Sequence, residues 1–176
     1  MTNFLLIAMV GLIALAFLVV IIRFVLMVRS MWCGAPYVAT TSLALKKTLE
    51  LIGPLQGKTA ADLGSGDGRV VIALAKAGAN AIGFETNPFL VWRSRRGIKR
   101  AGMENRAAIL HKNYWRSSLG QFDFVYIYGI SYIMPRLEQK LLAELKPGAR
   151  VVSKGFCFPN LKPIQQGEKI FLYQKV

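Results

Sequence analysis

Apolar and polar positions divide this chain into two regimes. Residues 4–28 are continuously apolar apart from Arg23 and contain no Pro. At ~1.5 Å rise per residue, a helix over that stretch outspans the ~30 Å hydrocarbon core of a bilayer. We read residues 1–29 as one transmembrane helix, 30–53 as a juxtamembrane connector and helix, and 54–176 as a separate domain. In that domain, short β-branched runs alternate with amphipathic ones. The pattern predicts strands over 59–63, 81–84, 107–111, 122–128, 150–153 and 170–174, and helices over 42–52, 70–77, 88–101 and 132–145. Thr41 or Ser42 can cap the first of these helices, with Leu43, Leu45, Leu49 and Ile52 as its apolar positions and Gly53-Pro54 as its stop. Pro88 suits a first helical turn, and Pro135 is expected to interrupt the last helix near its start.

Strands alternating with helices imply a parallel sheet covered on both faces. Ligands of such sheets bind beyond the carboxyl ends of the strands. Polar and aromatic residues gather at those ends: Asp62-Leu63-Gly64, Glu85-Thr86-Asn87, His111-Lys112-Asn113-Tyr114-Trp115 and Tyr128-Gly129-Ile130-Ser131. The strand bodies are apolar, so the ends are where chemistry is expected.

The flanks of the apolar stretch set its expected class and orientation. No Lys or Arg precedes residue 4, which argues against a secretory signal or a mitochondrial presequence. Arg23 and Arg29 follow, so the positive-inside rule places the N-terminus outside and the domain inside, at a prokaryotic cytoplasmic membrane. The alternative for a eukaryotic source is the mitochondrial inner membrane. Trp32 and Tyr37 suit an interfacial belt. Gly11 has no partner glycine at the spacing of a helix-dimer motif, and oligomeric state is left open.

Net charge is +14. The densest basic region runs through Arg93, Arg95, Arg96, Lys99, Arg100, Arg106, Lys112 and Arg116, with Glu104 opposing. Such a patch fits anionic lipid head groups or nucleic acid. The membrane tether favours lipid, and no nucleic acid is expected. Cys33 and Cys157 give no disulfide framework and no metal spacing, and Cys157 reads as a core or strand residue. His111 is the only histidine, so no Ser/His or Cys/His set can be assembled. It is expected to be structural.

The stretch that carries chemistry is Asp62-Leu63-Gly64-Ser65-Gly66-Asp67-Gly68-Arg69, between the first strand and the first helix of the domain. Glycines there allow sharp turns and close approach to a ligand. The spacing Gly64, Gly66, Gly68 departs from the dinucleotide fingerprint G-x-G-x-x-G. Asp62 and Asp67 beside the loop would repel a pyrophosphate and attract a cation. S-adenosylmethionine (SAM) carries an ammonium and a sulfonium and no phosphate. Asp62 or Asp67 would hold its ammonium. Glu85, about twenty positions after Gly64, would accept from the ribose hydroxyls. Asn87 completes that strand end. Asn113 would read the adenine amino group, with Tyr114 or Trp115 against the ring. Tyr37, Trp115, Tyr126, Tyr128 and Tyr132 are the aromatics available to an acceptor, and Tyr37 and Tyr128 are the candidates for positioning it. Strand four ends in Tyr-Gly-Ile-Ser, not the Asn/Asp-Pro-Pro-Tyr/Phe signature of amide- and adenine-nitrogen methyltransferases.

Further runs carry a resemblance. Pro36-Tyr37-Val38-Ala39-Thr40, the glycine loop, Gly83-Phe84-Glu85-Thr86-Asn87-Pro88, Asn113-Tyr114-Trp115, Met134-Pro135-Arg136-Leu137-Glu138 and Gly148-Ala149-Arg150-Val151-Val152 resemble the single-span protein-lysine methyltransferases. That family's mitochondrial members modify the c-subunit of ATP synthase and the adenine nucleotide translocase. The resemblance implies an α/β class I (Rossmann-like) SAM-dependent methyltransferase; the tail after strand five is short, so the C-terminal part is expected to be shortened, its sixth strand minimal or absent. It implies transfer to the ε-amine of a lysine in a membrane protein near the inner leaflet, with S-adenosylhomocysteine as the product. Ala39, Asn113 and Ser131 depart from the family's usual Pro, Asp and Pro. Two other readings remain: methylation of a lipid head group or small membrane amine, and a SAM-binding interaction module without turnover.

Overall fold

The computed structural model describes residues 2–33 and 40–176. The chain divides into two compact units, the first ending at Pro36 and the second beginning at Tyr37.

The first unit is one helix, α1 (Thr2–Cys33). It runs past the expected end at residue 29, since nothing in Ser30-Met31-Trp32-Cys33 breaks a helix. Its segment Leu5–Val25 has a mean hydropathy of 3.3 and no part of it is buried by protein. A helix apolar on every side and uncovered cannot be the core helix of this chain. It is long and apolar enough to cross a membrane. The connector residues 34–39, Tyr37 among them, lie outside the described residues.

The second unit opens with α2 (Ser42–Ile52), capped by the Thr41 hydroxyl, which accepts from the Ala44 N–H, and stopped at Gly53 with φ of 68°. Leu45, Thr48, Leu49 and Ile52 face the sheet. Leu43, expected on that stripe, is 63% exposed. At 3.6 residues per turn it falls opposite Ile52. Then follow β1 (Thr59–Leu63), α3 (Arg69–Lys76), β2 (Asn80–Glu85), α4 (Pro88–Arg100), β3 (Ala107–His111), β4 (Phe124–Tyr128), α5 (Met134–Glu144), β5 (Arg150–Lys154), β6 (Gln165–Gly167) and β7 (Ile170–Gln174). Short 3-10 turns sit at Tyr114–Arg116 and Ser131–Ile133.

The seven strands form one sheet in the order β3-β2-β1-β4-β5-β7-β6. The strands from β3 to β5 pair in parallel, and β7 is antiparallel to both of its neighbours. One face is covered by α2, α3 and α4, through Ile52, Val71, Leu74, Val91 and Ile98. The other is covered by α5, through Met134, Leu137 and Leu141, with Leu119, Phe122 and Phe158 from flanking loops. No helix separates β5 from β6, which is the shortened C-terminal part. The sixth strand is present but only three residues long, all exposed.

Three further expectations change. Phe122 belongs to a turn before β4, its N–H donating to Leu119 O, and it enters the core as a loop residue. Pro135 does not interrupt a helix; it occupies the first turn of α5, where its missing N–H costs no bond. Cys157 is exposed in the segment after β5 and not a core or strand residue. That segment is pinned by the buried Glu138 of α5, whose carboxylate accepts from the backbone and side-chain nitrogens of Asn160.

Candidate active site

The order of strands reverses at β1, which lies between β2 and β4. Loops after β1 and β4 therefore leave in opposite directions and open a crevice at their carboxyl ends. The glycine loop fills its rim. Gly64, Gly66 and Gly68 have φ of 82°, 54° and 80°, which disfavours any side chain there. At Gly64 a Cβ would meet nothing within 4 Å, whereas at Gly68 it would lie 2.8 Å from Ser94 Cβ of α4. Gly64 thus leaves open space beside the loop, and Gly68 lets α3 start against α4. Ser65 is buried, and its hydroxyl has no hydrogen-bond partner among the described residues.

Glu85, at the end of β2, ties the loop to the neighbouring strand end. Its carboxylate accepts three backbone N–H groups, from Gly66, Thr86 and Asn87, each at 2.8 Å. Asp62, on β1, is only 3% exposed. Burial pushes its carboxyl well above the usual carboxylate range, and the nearby Glu85 and Asp67 push the same way. An acid held in that state is stabilised by an arriving cation. Asp67 is engaged differently. The Arg69 guanidinium clamps both of its oxygens at 2.7–3.2 Å, and Arg93 approaches to 4.0 Å.

Arg69 also donates to Thr40 O at 3.0 Å, and the Thr40 hydroxyl lies 3.1 Å from the Tyr126 hydroxyl. Tyr126 sits opposite Asp62 in the β1–β4 register. Burial raises its phenol pKa, the Thr40 bond opposes that, and Asp62 adds to it. Thr40, which precedes the α2 cap, therefore links the glycine loop to the fourth strand. Two residues further along β4, Tyr128 lies opposite Lys154 of β5, whose ammonium stands 4.5 Å from the Tyr128 ring centroid. Burial pulls the Lys154 pKa down.

The structure brings together Asp62, Gly64, Ser65, Gly66, Asp67, Gly68 and Glu85 in one rim, tied to β2 by the bond from Gly66 N–H to Glu85. Asn87 and Asn113 stand at strand ends but spend a side-chain oxygen as caps, accepting from Phe89 and Leu90 N–H and from Trp115 N–H respectively. Tyr114 is 5% exposed and packs in the α5-side core, with its ring 5.0 Å from that of Trp115. Arg136 covers one face of Trp115 at 4.5 Å. Thr40, Arg69 and Lys154 carry site contacts to which sequence reasoning gave no role. The signal for Lys154 was a lone lysine ending the apolar run Val151-Val152-Ser153. The exposed His111 ring reaches Thr86 O, just past the end of β2, at 3.0 Å.

A family model for the ANTKMT methyltransferase domain matches residues 62–165, more than half of the chain. A protein-lysine N-methyltransferase of Saccharolobus islandicus is 33% identical over 130 residues, covering 73% of this chain and 81% of that protein. The chain belongs to the ANTKMT methyltransferase family. Another family relative, the lysine N-methyltransferase of the ATP synthase c-subunit from Rattus norvegicus, is 41% identical over 128 residues, or 73% of this chain. The chain spans 59% of that protein's length. Among solved structures, an RNA methyltransferase of Salinibacter ruber in complex with S-adenosyl-L-homocysteine superposes with a TM-score of 0.75 at 27% identity, over 78% of this chain and 93% of that one. The family match begins at Asp62 and takes in the glycine loop, Glu85, Tyr128 and Lys154.

Proposed function

We propose that this chain is a SAM-dependent protein-lysine methyltransferase held in a membrane by α1, with its domain on the cytoplasmic side and a lysine of a membrane protein as acceptor. The rim fits the cofactor. Asp62 is a buried carboxylate with a disfavoured charge, Ser65 offers a buried hydroxyl without a partner among the described residues, and Gly64 leaves room that a side chain would fill. SAM, when bound, supplies an electrophilic methyl group on a sulfonium.

Each residue then has a task. Asp62 accepts from the methionine ammonium, and its burial strengthens that contact. Glu85, already oriented by three N–H donors, accepts from the ribose hydroxyls through its remaining lone pairs. Asn113 keeps one lone pair of its side-chain oxygen for the adenine amino group, beside Tyr114 and Trp115. Asn87 holds the start of α4 against the ribose end. Tyr37 and Tyr128 position the acceptor amine.

The observation that carries the lysine reading is Lys154 on Tyr128. The ring at the end of β4 already holds one alkylammonium at 4.5 Å, so its face suits a second lysine or a methylated product. Burial there disfavours the ammonium form, and a nearby positive charge disfavours it further in an incoming amine. These two effects oppose the attraction of the ring for a cation and favour the neutral amine that attacks a methyl carbon. Positioning and exclusion of water supply the rest of the acceleration. Relatives named for the c-subunit of ATP synthase and for the adenine nucleotide translocase support a membrane-protein acceptor. The anchor raises the effective concentration of such acceptors.

Native membranes incubated with methyl-labelled SAM and the full chain test this. Label on lysine of an integral membrane protein is the expected result. Label extracted into organic solvent transfers the activity to a lipid or small amine. SAM binding without label in any fraction removes the enzymatic reading.

A further inference from the structure

Helix α4 presents a surface that, Arg93 apart, the methyltransferase site does not use. Val91, Ser94 and Ile98 are buried against the sheet. At 3.6 residues per turn the opposite face is centred on Phe89, Trp92, Arg93, Arg96 and Arg100. Phe89 is 60% exposed and Trp92 is 54% exposed. Large aromatics on an outward face are costly to leave in water. No acidic residue occurs anywhere in α4. The two rings pack at 5.9 Å, and the Arg96 guanidinium lies 5.0 Å over Trp92. Beside them a cavity of about 510 Å³ is bounded by Val91, Trp92, Arg96, Lys99 and His111, among others. It has an apolar wall, and Arg95, Arg96 and Lys99 outnumber Glu104 among its charged residues.

We infer that this face of α4 is a docking surface for an anionic bilayer, with Phe89 and Trp92 entering the interface and Arg96, Lys99 and Arg100 meeting lipid phosphates. Aromatic rings favour the head-group boundary, and neighbouring cations draw anionic lipid to it. Nucleic acid is the less suited occupant. One face of Trp92 is covered by Arg96, and Phe89 packs on Trp92, so the pair offers poor stacking planes for bases. The inference rests on the membrane reading above but not on the acceptor. It adds a second contact to the anchor, one that fixes the orientation of the domain and depends on lipid charge.

Tryptophan quenching in vesicles with brominated acyl chains tests it, using the full chain. The chain has 3 tryptophans, so the Trp92 contribution is the difference between wild type and Trp92→Phe. That difference is expected in vesicles of phosphatidylcholine with phosphatidylglycerol, and not in phosphatidylcholine alone. Each cation favours the docked state roughly fivefold. Arg96→Glu with Arg100→Glu lowers that preference by more than about 25-fold and removes the difference. Arg93 is left intact because it approaches Asp67 of the glycine loop. Circular dichroism confirms that each variant folds. Equal quenching of wild type and Trp92→Phe in anionic vesicles overturns the inference. So does quenching of Trp92 by an RNA oligonucleotide and not by lipid. Flotation with neutral vesicles reports α1 separately: a chain that floats there but shows no Trp92 quenching in anionic vesicles keeps the anchor and loses the docking surface. Quenching reads α4 whether or not the chain floats.

Discussion

Replacing Glu85 by Gln keeps the shape of the side chain and removes its charge. One carboxylate oxygen accepts from Thr86 and Asn87 N–H, and the other from Gly66 N–H. The Gln amide must turn its NH2 toward one side. Facing Gly66 sacrifices one bond and facing the other pair sacrifices two, so Gly66 loses its acceptor. A hydrogen bond to a charged group contributes about 1.5–3 kcal/mol, and a neutral one about 0.5–1.5. Losing one and weakening two removes about 3–5 kcal/mol. Asp62 recovers part of that, because Glu85 is one of the charges raising its pKa. The net loss is about 2–4 kcal/mol, and at about 3 °C per kcal/mol for a domain of this size Tm falls by about 6–12 °C. Thermal unfolding of the full chain in detergent without SAM, followed by intrinsic fluorescence at pH 7, is the assay. A fall of less than about 2 °C refutes the idea that this carboxylate clamps the glycine loop.

Asp62→Asn is expected to act in the opposite direction on stability. Its raised pKa makes the folded state hold the proton more tightly, so the cofactor-free domain loses stability as pH rises from 3.8 through the folded value. The Asn variant lacks that loss and is more stable than wild type at pH 7, while its SAM affinity falls by roughly 10- to 150-fold, the equivalent of one charge-assisted bond. Titration calorimetry against pH also reads the sign, with wild-type affinity rising through the Asp62 pKa and the variant flat. Gly68→Ala combines strain at φ of 80° with a contact at 2.8 Å and costs about 2–4 kcal/mol, whereas Gly64→Ala adds strain alone and costs about 1–2. Equal melting temperatures for the two would contradict the close approach of α3 to α4. Tyr128→Ala is expected to lower kcat/KM for the acceptor by about 5- to 30-fold with SAM affinity unchanged, and Tyr128→Phe to retain activity. Steady-state kinetics on both variants separates the ring from the hydroxyl.

Local chemistry explains what the sequence revealed. Thr41 and Asn87 sit where caps are needed, and the strands at 59–63, 107–111 and 170–174 are apolar runs bounded by polar turns. The acid at the end of β2 and the glycine spacing are likewise local patterns. What stayed hidden depends on distant partners. Gln165-Gln166-Gly167 has no strand character of its own and pairs only because β7 offers an edge. Thr40 gains its role from Tyr126, eighty-six positions away. Lys154 matters because the register sets it beside Tyr128. Phe122 looked like strand because core aromatics and strand aromatics share a composition. Asn113 and Asn87 read as ligand donors, and their capping geometry shows why the same amide suits both tasks.

Thr40 also constrains anyone wishing to handle this domain without the apolar helix. Its carbonyl holds Arg69, and its hydroxyl meets Tyr126. A truncation placed at the start of α2, the obvious boundary for a water-soluble version, would cut both fastenings and take one backbone acceptor from the guanidinium that grips Asp67. Such a fragment would keep its sheet and lose one support of the glycine loop. Cleavage sites and fusion partners therefore belong upstream of residue 40, within the stretch that leads out of the helix.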